Sequence, residues 1–138
     1  MGTISNKTIS ELLKKTWQST PSAEEDSYVE RNLYRLYGIK VSELTTEDIR
    51  FLINQGVLLE ILIPQAFRIL EKDLFAEGDF YAGDLLNAVM EVEELFWTHH
   101  PDILTTLLRI LRSNMDKIKE YDGPRSVRRN IEKFIDRK

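Results

Sequence analysis

The seven residues VLLEILI, Val57 to Ile63, decide between an all-helical chain and one built on a sheet. Every position but Glu60 is apolar, the pattern of a helix buried on most sides or of one central strand. Leucine is the commonest residue here, and no turn signal ahead of the run introduces a partner strand. The reading is therefore helix. Pro64 follows and has no amide to give to the Glu60 carbonyl. The helix is expected to break or kink there and to restart with Pro64 in its first turn. Ala66, Phe67, Ile69 and Leu70 then lie on a core-facing stripe.

Upstream, Thr8-x-x-Glu11 reads as a capping box ahead of a short helix with Ile9, Leu12, Leu13 and Trp17. Ser19 to Ser22 breaks it. Ser22-x-x-Glu25 reads as a second box, before a helix with Tyr28, Val29, Leu33 and Leu36 that stops at Gly38. Ile39-Lys40-Val41 is the only strand-like alternation in the connector that follows. Thr46 is expected to cap a helix with Glu47 and Asp48 in its first turn and Ile49, Leu52 and Ile53 as its stripe, ending at Gly56.

Downstream, EKDLFAEGDFYAGDLLNAVMEVEE, Glu71 to Glu94, carries eight carboxylates against one cation, Lys72. Gly78 and Gly83 mark a turn-forming loop, and Gly83-Asp84 opens a helix with Leu85, Leu86, Val89 and Met90. Phe75, Phe80 and Tyr81 either anchor this loop on the core or face a partner, since large aromatics are costly to leave wet without a purpose. A short helix with Leu95, Phe96 and Trp97 stops before Pro101. Pro101-Asp102 should start the longest helix, running through Ile103, Leu107, Leu111, Met115 and Ile118 to Gly123. A last helix sets Val127, Ile131, Phe134 and Ile135 against a basic, solvated face. The expectation is an all-α fold of seven or eight helices in a single domain spanning residues 1–138.

The 138 residues suffice to bury a normal core, and 42% apolar and 30% charged residues are globular values. With no cysteine, disulfides and thiolate metal sites are excluded. No run approaches the ~20 apolar residues of a membrane span. The opening MGTISNKTISE lacks the layout of a signal peptide, so the expected address is the cytoplasm. The net charge of −4 hides an asymmetry: residues 1–108 hold nine cations and eighteen anions, residues 109–138 ten cations and five anions. A phosphate backbone would be repelled by the acidic body, and the basic last helix lacks interleaved exposed aromatics, so no nucleic-acid or membrane partner is expected.

Asp79 and Asp84 flank glycines, but their spacing fails the calcium-loop pattern, and no metal or other cofactor is expected. No nucleophile–base set, phosphate-cradling loop or Gly-x-Ser-x-Gly turn accompanies the carboxylates. His99-His100 before Pro101 closes one helix against the next. Two roles remain. One is a binding protein whose acidic segment meets a basic partner through Glu71, Asp73, Glu77, Asp79, Phe80, Tyr81, Asp84, Glu91 and Glu94. The other is a small helical enzyme or regulatory adaptor using the carboxylates with His99 or His100.

The run from Leu44 to Val89 resembles the immunity proteins of bacterial contact-dependent growth inhibition (CDI) systems. The likeness rests on Leu44-Thr45, Glu47-Asp48-Ile49-Arg50, Leu52-Ile53-x-Gln55, Leu62-x-Pro64-x-Ala66, AEGDFY from Ala76 to Tyr81, GDLL from Gly83 to Leu86, Phe96-Trp97 and His100-Pro101. Ala82 stands where the family pattern has proline, and the likeness does not extend to the basic tail past Arg112. The resemblance implies a non-enzymatic protein that binds the C-terminal toxin domain of a delivered effector and blocks it in the cytoplasm. An acidic surface would then cover a basic, nucleic-acid-cleaving active site of the cognate toxin.

Overall fold

A computed structural model describes residues 6–13 and 27–137. Nine α-helices occur among them: α1 (Ile9–Leu13), α2 (Tyr28–Tyr37), α3 (Thr46–Asn54), α4 (Leu59–Lys72), α5 (Asp84–Met90), α6 (Glu94–His99), α7 (Pro101–Arg112), α8 (Met115–Glu120) and α9 (Arg125–Ile135). A 3-10 turn, Val41–Glu43, precedes α3. The fold is all-α, with one helix more than the upper expectation. Pairing outside the helices is limited, among the described residues, to isolated bridges at Thr8–Lys40 and Glu77–Ala82. The first lies where Ile39-Lys40-Val41 reads as an alternation.

Caps fix several helix starts. Thr8 Oγ1 accepts from the Glu11 amide while Glu11 Oε1 accepts from the Thr8 amide, a complete capping box on α1. Trp17 and the box at Ser22 and Glu25 lie outside the described residues. Within those residues, α2 is capped by Ser27, whose Oγ accepts from Glu30 N. On α3 the cap is Thr45, one residue before the expected Thr46, because Asp48 rather than Glu47 reaches back to complete the box. That leaves the Glu47 carboxylate free for another task. α3 ends at Asn54, and Gly56 turns the chain with φ +72°. Leu58 is also left-handed, φ 48°, a conformation that costs a residue with a Cβ about 1–2 kcal/mol.

Two helix boundaries differ from expectation. Pro64 does not break α4, which runs unbroken for 14 residues. Glu60 and Pro64 both lie on its exposed side, so the carbonyl that loses its amide partner faces solvent instead of the core. Conversely, the helix expected from Pro101 to Gly123 divides into α7 and α8. Ser113 Oγ donates to Arg109 O at 2.8 Å and Asn114 Nδ2 donates to Ile110 O at 2.8 Å. Such side-chain bonds compete with the helical ladder and favour a turn there.

The core gathers around α5. All seven of its residues are buried, and it packs against α3, α4 and α9. α7 packs against α4, α6 and α9, closing the other side of the bundle. Leu62, Ile63, Ala66, Phe67 and Leu70 of α4, Leu52 of α3, and Val127, Ile131 and Phe134 of α9 complete the core. Burying a large aliphatic side chain contributes ~1.5–3 kcal/mol, so this inner shell dominates stability. α5 is thus held from three sides, and the loop that leads into it, residues 73–83, inherits that fixed anchor. No described helix is long and apolar enough to cross a membrane.

Candidate functional site

The loop between α4 and α5 folds back on itself. Leu74 and Ala76 are buried beneath it, Gly83 N donates to Phe75 O at 3.0 Å, and Glu77 pairs with Ala82. Its tip is Gly78-Asp79-Phe80-Tyr81. Four amides there and in the adjoining turn find carboxylate acceptors from within. Asp84 Oδ1 accepts from Gly78 N at 2.6 Å, and Asp84 Oδ2 from Phe80 N at 3.1 Å and Tyr81 N at 3.5 Å. Glu47 Oε1, from the first turn of α3, accepts from Asp79 N at 2.9 Å.

Between these two carboxylates sits Arg50, only 9% exposed. Its Nε and Nη2 donate to Glu47 at 2.7 and 2.6 Å, a two-pronged pair, and its Nε lies 3.9 Å from Asp84 Oδ2. The guanidinium also lies under the Phe80 ring, 4.6 Å from its centroid. An arginine inside the apolar run Ile49 to Ile53 needs carboxylates, because an unpaired buried charge is expensive. That is the sequence signal by which this cluster could have been found. Gly78 makes the cluster possible: a Cβ there would come within 2.5 Å of Glu47 Oε1 and 3.1 Å of Asp84 Oδ2.

Asp84 opens α5 without capping it; its carboxylate serves the loop instead. At 3% exposure it lies inside the site, not on its surface. The Arg50 guanidinium is held more firmly protonated than usual, first by its hydrogen bonds to Glu47. Burial pushes the Glu47 carboxyl up. The Arg50 hydrogen bond, the Asp79 amide and the guanidinium charge outweigh that and leave it below its ordinary value of 4.5. A carboxyl depressed on folding contributes stability that is present above its unfolded value and lost as pH falls through the folded one. Hydrogen-exchange protection of the Asp79 amide is therefore expected to weaken below about pH 4.5 while the amides of α4 hold. In Glu47→Gln that pH step should disappear; a step that persists would assign it to another group.

The remaining residues of the acidic stretch divide by what they bond to. Glu71 and Glu94 are paired with the C-terminal part of the chain, Glu71 with Arg109 at 2.9 Å and Glu94 with both Nη atoms of Arg137 at 2.8 and 2.6 Å. The Arg137 hydrogen bond also lowers the Glu94 carboxyl. Asp73 is exposed and accepts from Phe75 N at 3.2 Å. Glu77, Asp79, Glu91 and Glu93 are exposed and have no cation partner among the described residues. Glu91 accepts only from the neutral amides of Asn87 and Asn130, each at 3.4 Å.

The three loop aromatics divide as well. Phe75 stacks on Tyr121 at 4.2 Å, and Tyr81 is half-buried with its hydroxyl accepting from Asn87 Nδ2 at 3.1 Å. Phe80 alone stands out, 64% exposed. Anchoring therefore describes the first two, and the third is presented to solvent over Arg50.

The tail, expected as a basic helix with a solvated outer face, does more than that. Tyr121 donates to Ala82 O at 2.6 Å, and a Cβ on Gly83, which adopts φ +94°, would meet that hydroxyl at 3.1 Å. Arg128 donates to the carbonyls of Tyr121 and Lys119. Asn130 donates to Asn87 at 2.8 Å, joining α9 to α5. Arg125, Arg129 and Lys133 remain exposed. His100 caps α7 and stacks on Phe96 at 4.3 Å. Among the described residues no three potential metal ligands gather.

A family model described as CDI immunity proteins matches residues 7–107. No curated protein matches the chain.

Proposed function

We propose, from the fact that the chain belongs to the CDI immunity proteins, that it neutralises its cognate toxin by binding the C-terminal toxin domain of a CDI effector. Membership gives an immunity role against a CDI toxin. The surface and the manner of binding are inferred from the site. One observation carries the inference: a loop tip locked by buried charge presents Glu77, Asp79 and the exposed Phe80 to solvent. A tip whose backbone is already fixed binds without first ordering that backbone, which lowers the entropic cost of association.

Carboxylates around an exposed aromatic fit a basic surface with an apolar centre. Toxins that cleave nucleic acid need such a surface to hold phosphate, and covering it would block substrate. The chain acts in this reading as a stoichiometric binder in the cytoplasm, with no catalysis of its own. Asp84 and Glu47, the least exposed carboxylates of the cluster, are spent on backbone amides and Arg50. Neither is aimed at a substrate.

Co-expression with the cognate CDI toxin domain tests the reading. Cells should survive, and the two proteins should co-purify in equimolar amounts. Survival without any isolable complex would point to a catalytic or indirect mode of protection.

A further inference from the structure

Two adjoining depressions share Asn54, Ala88 and Glu91 and so form one trough across α3 and α5. The narrow end, about 170 Å3, is bordered by Arg50, Phe80, Tyr81 and Asn87. The wide end, about 530 Å3, sets Leu59, Val92 and Phe96 among the polar side chains of Asn54, Gln55, Glu91 and Glu93.

Its charge is one-sided. Glu91 and Glu93 line the wide end and no lysine or arginine does. The Glu93 carboxylate has no partner among the described residues, and Glu91 receives only neutral amides. The single guanidinium of the narrow end, on Arg50, is already engaged by Glu47. Leu59, Val92 and Phe96 beside two carboxylates without a cation suit a long apolar stem ending in a cation, which is the build of arginine and lysine.

We propose that this trough receives a protruding segment of the toxin domain that carries an arginine or lysine, so that the toxin is held by insertion as well as across the loop tip. The inference rests on the immunity reading above and adds a specific contact to it. A flat acidic face would tolerate bulk placed beside it; a trough that takes an inserted side chain would not.

The test titrates the full chain against an inactivated form of the cognate CDI toxin domain. Asn54→Trp places bulk where the two depressions meet without changing charge. Glu93→Lys reverses charge on the wall. Glu120→Lys, on exposed α8, makes the same charge change elsewhere. Helical content is followed by circular dichroism for all three. The first two should weaken binding at least tenfold at unchanged helical content, and Glu120→Lys should stay within about twofold of wild type. Wild-type-like binding by both Asn54→Trp and Glu93→Lys, beside tight wild-type binding, would overturn the trough and leave the immunity reading standing. A wild-type chain that fails to bind removes the immunity reading and this inference with it.

Discussion

Replacing Asp84 by alanine is expected to lower unfolding stability by about 2–3 kcal/mol and to weaken toxin binding by more than tenfold, though no atom of Asp84 is offered to a partner. The carboxylate is 3% exposed and accepts from three loop amides, those of Gly78, Phe80 and Tyr81. Hydrogen bonds to a charged group contribute about 1.5–3 kcal/mol, and leaving buried donors without an acceptor removes that and adds their desolvation. Arg50 also loses one of its two neighbouring anions. Asp84→Asn should be milder, because one amide oxygen can still accept, but its NH2 faces amides that also donate. Urea unfolding gives the stability, and exchange of the three loop amides locates the damage. Stability within about 0.5 kcal/mol of wild type, with protected loop amides, would show that the loop holds its shape by other means.

Glu47, Arg50 and Asp84 also show where sequence reading ran out. Caps that act within four residues are legible. Thr8 and Glu11 form the box their spacing predicts, and Gly56 sits just past the end of α3. Asp79 and Glu47 lie 32 positions apart, and their bond exists only because α3 and α5 pack together. Periodicity places both helices but does not say which faces meet. Pro64 illustrates the opposite case. A local rule predicts a break or a kink; the break is absent, and α4 passes through Pro64 with Glu60 and Pro64 on the wet side. The acidic run reads from sequence as one uniform strip. In the fold it separates into residues paired with the tail, a carboxylate buried under the loop, and five exposed acids without a cation among the described residues.

The tail carries the part of the site least visible in sequence. Residues 108–138 lie outside the family match, yet they supply Arg109 to Glu71, Tyr121 to Ala82 O, Asn130 to Asn87 and Arg137 to Glu94. The excess positive charge of the C-terminal part is thus partly spent inside the molecule. It neutralises the two carboxylates nearest the flanks of the acidic stretch and leaves the centre exposed. Surface ion pairs of this kind add little stability singly, ~0–1 kcal/mol, so their greater effect here is on where the negative charge remains.

Reversing Glu77 and Asp79 together to lysine is expected to slow association with the toxin about tenfold or more, the low end of electrostatic steering. Both side chains are exposed on the loop tip, and neither is paired with a cation among the described residues. The Asp79 amide, not its carboxylate, holds the loop to Glu47, so the substitution leaves that bond in place. Long-range attraction is screened over ~8–10 Å at 0.1–0.15 M salt, so the wild-type association rate should fall as salt rises and the variant's should respond less. Asp84 does not belong in such a variant, because its loss would unfold the loop and mimic a surface effect. The matching control is Arg125→Glu with Arg129→Glu, two exposed residues of α9. Arg128 is left intact because it holds the carbonyls of Lys119 and Tyr121. Stopped-flow rates at two salt concentrations, together with survival of co-expressing cells, decide the matter. If the acidic pair is reversed without slowing association while the basic pair abolishes it, the toxin meets α9 and not the loop.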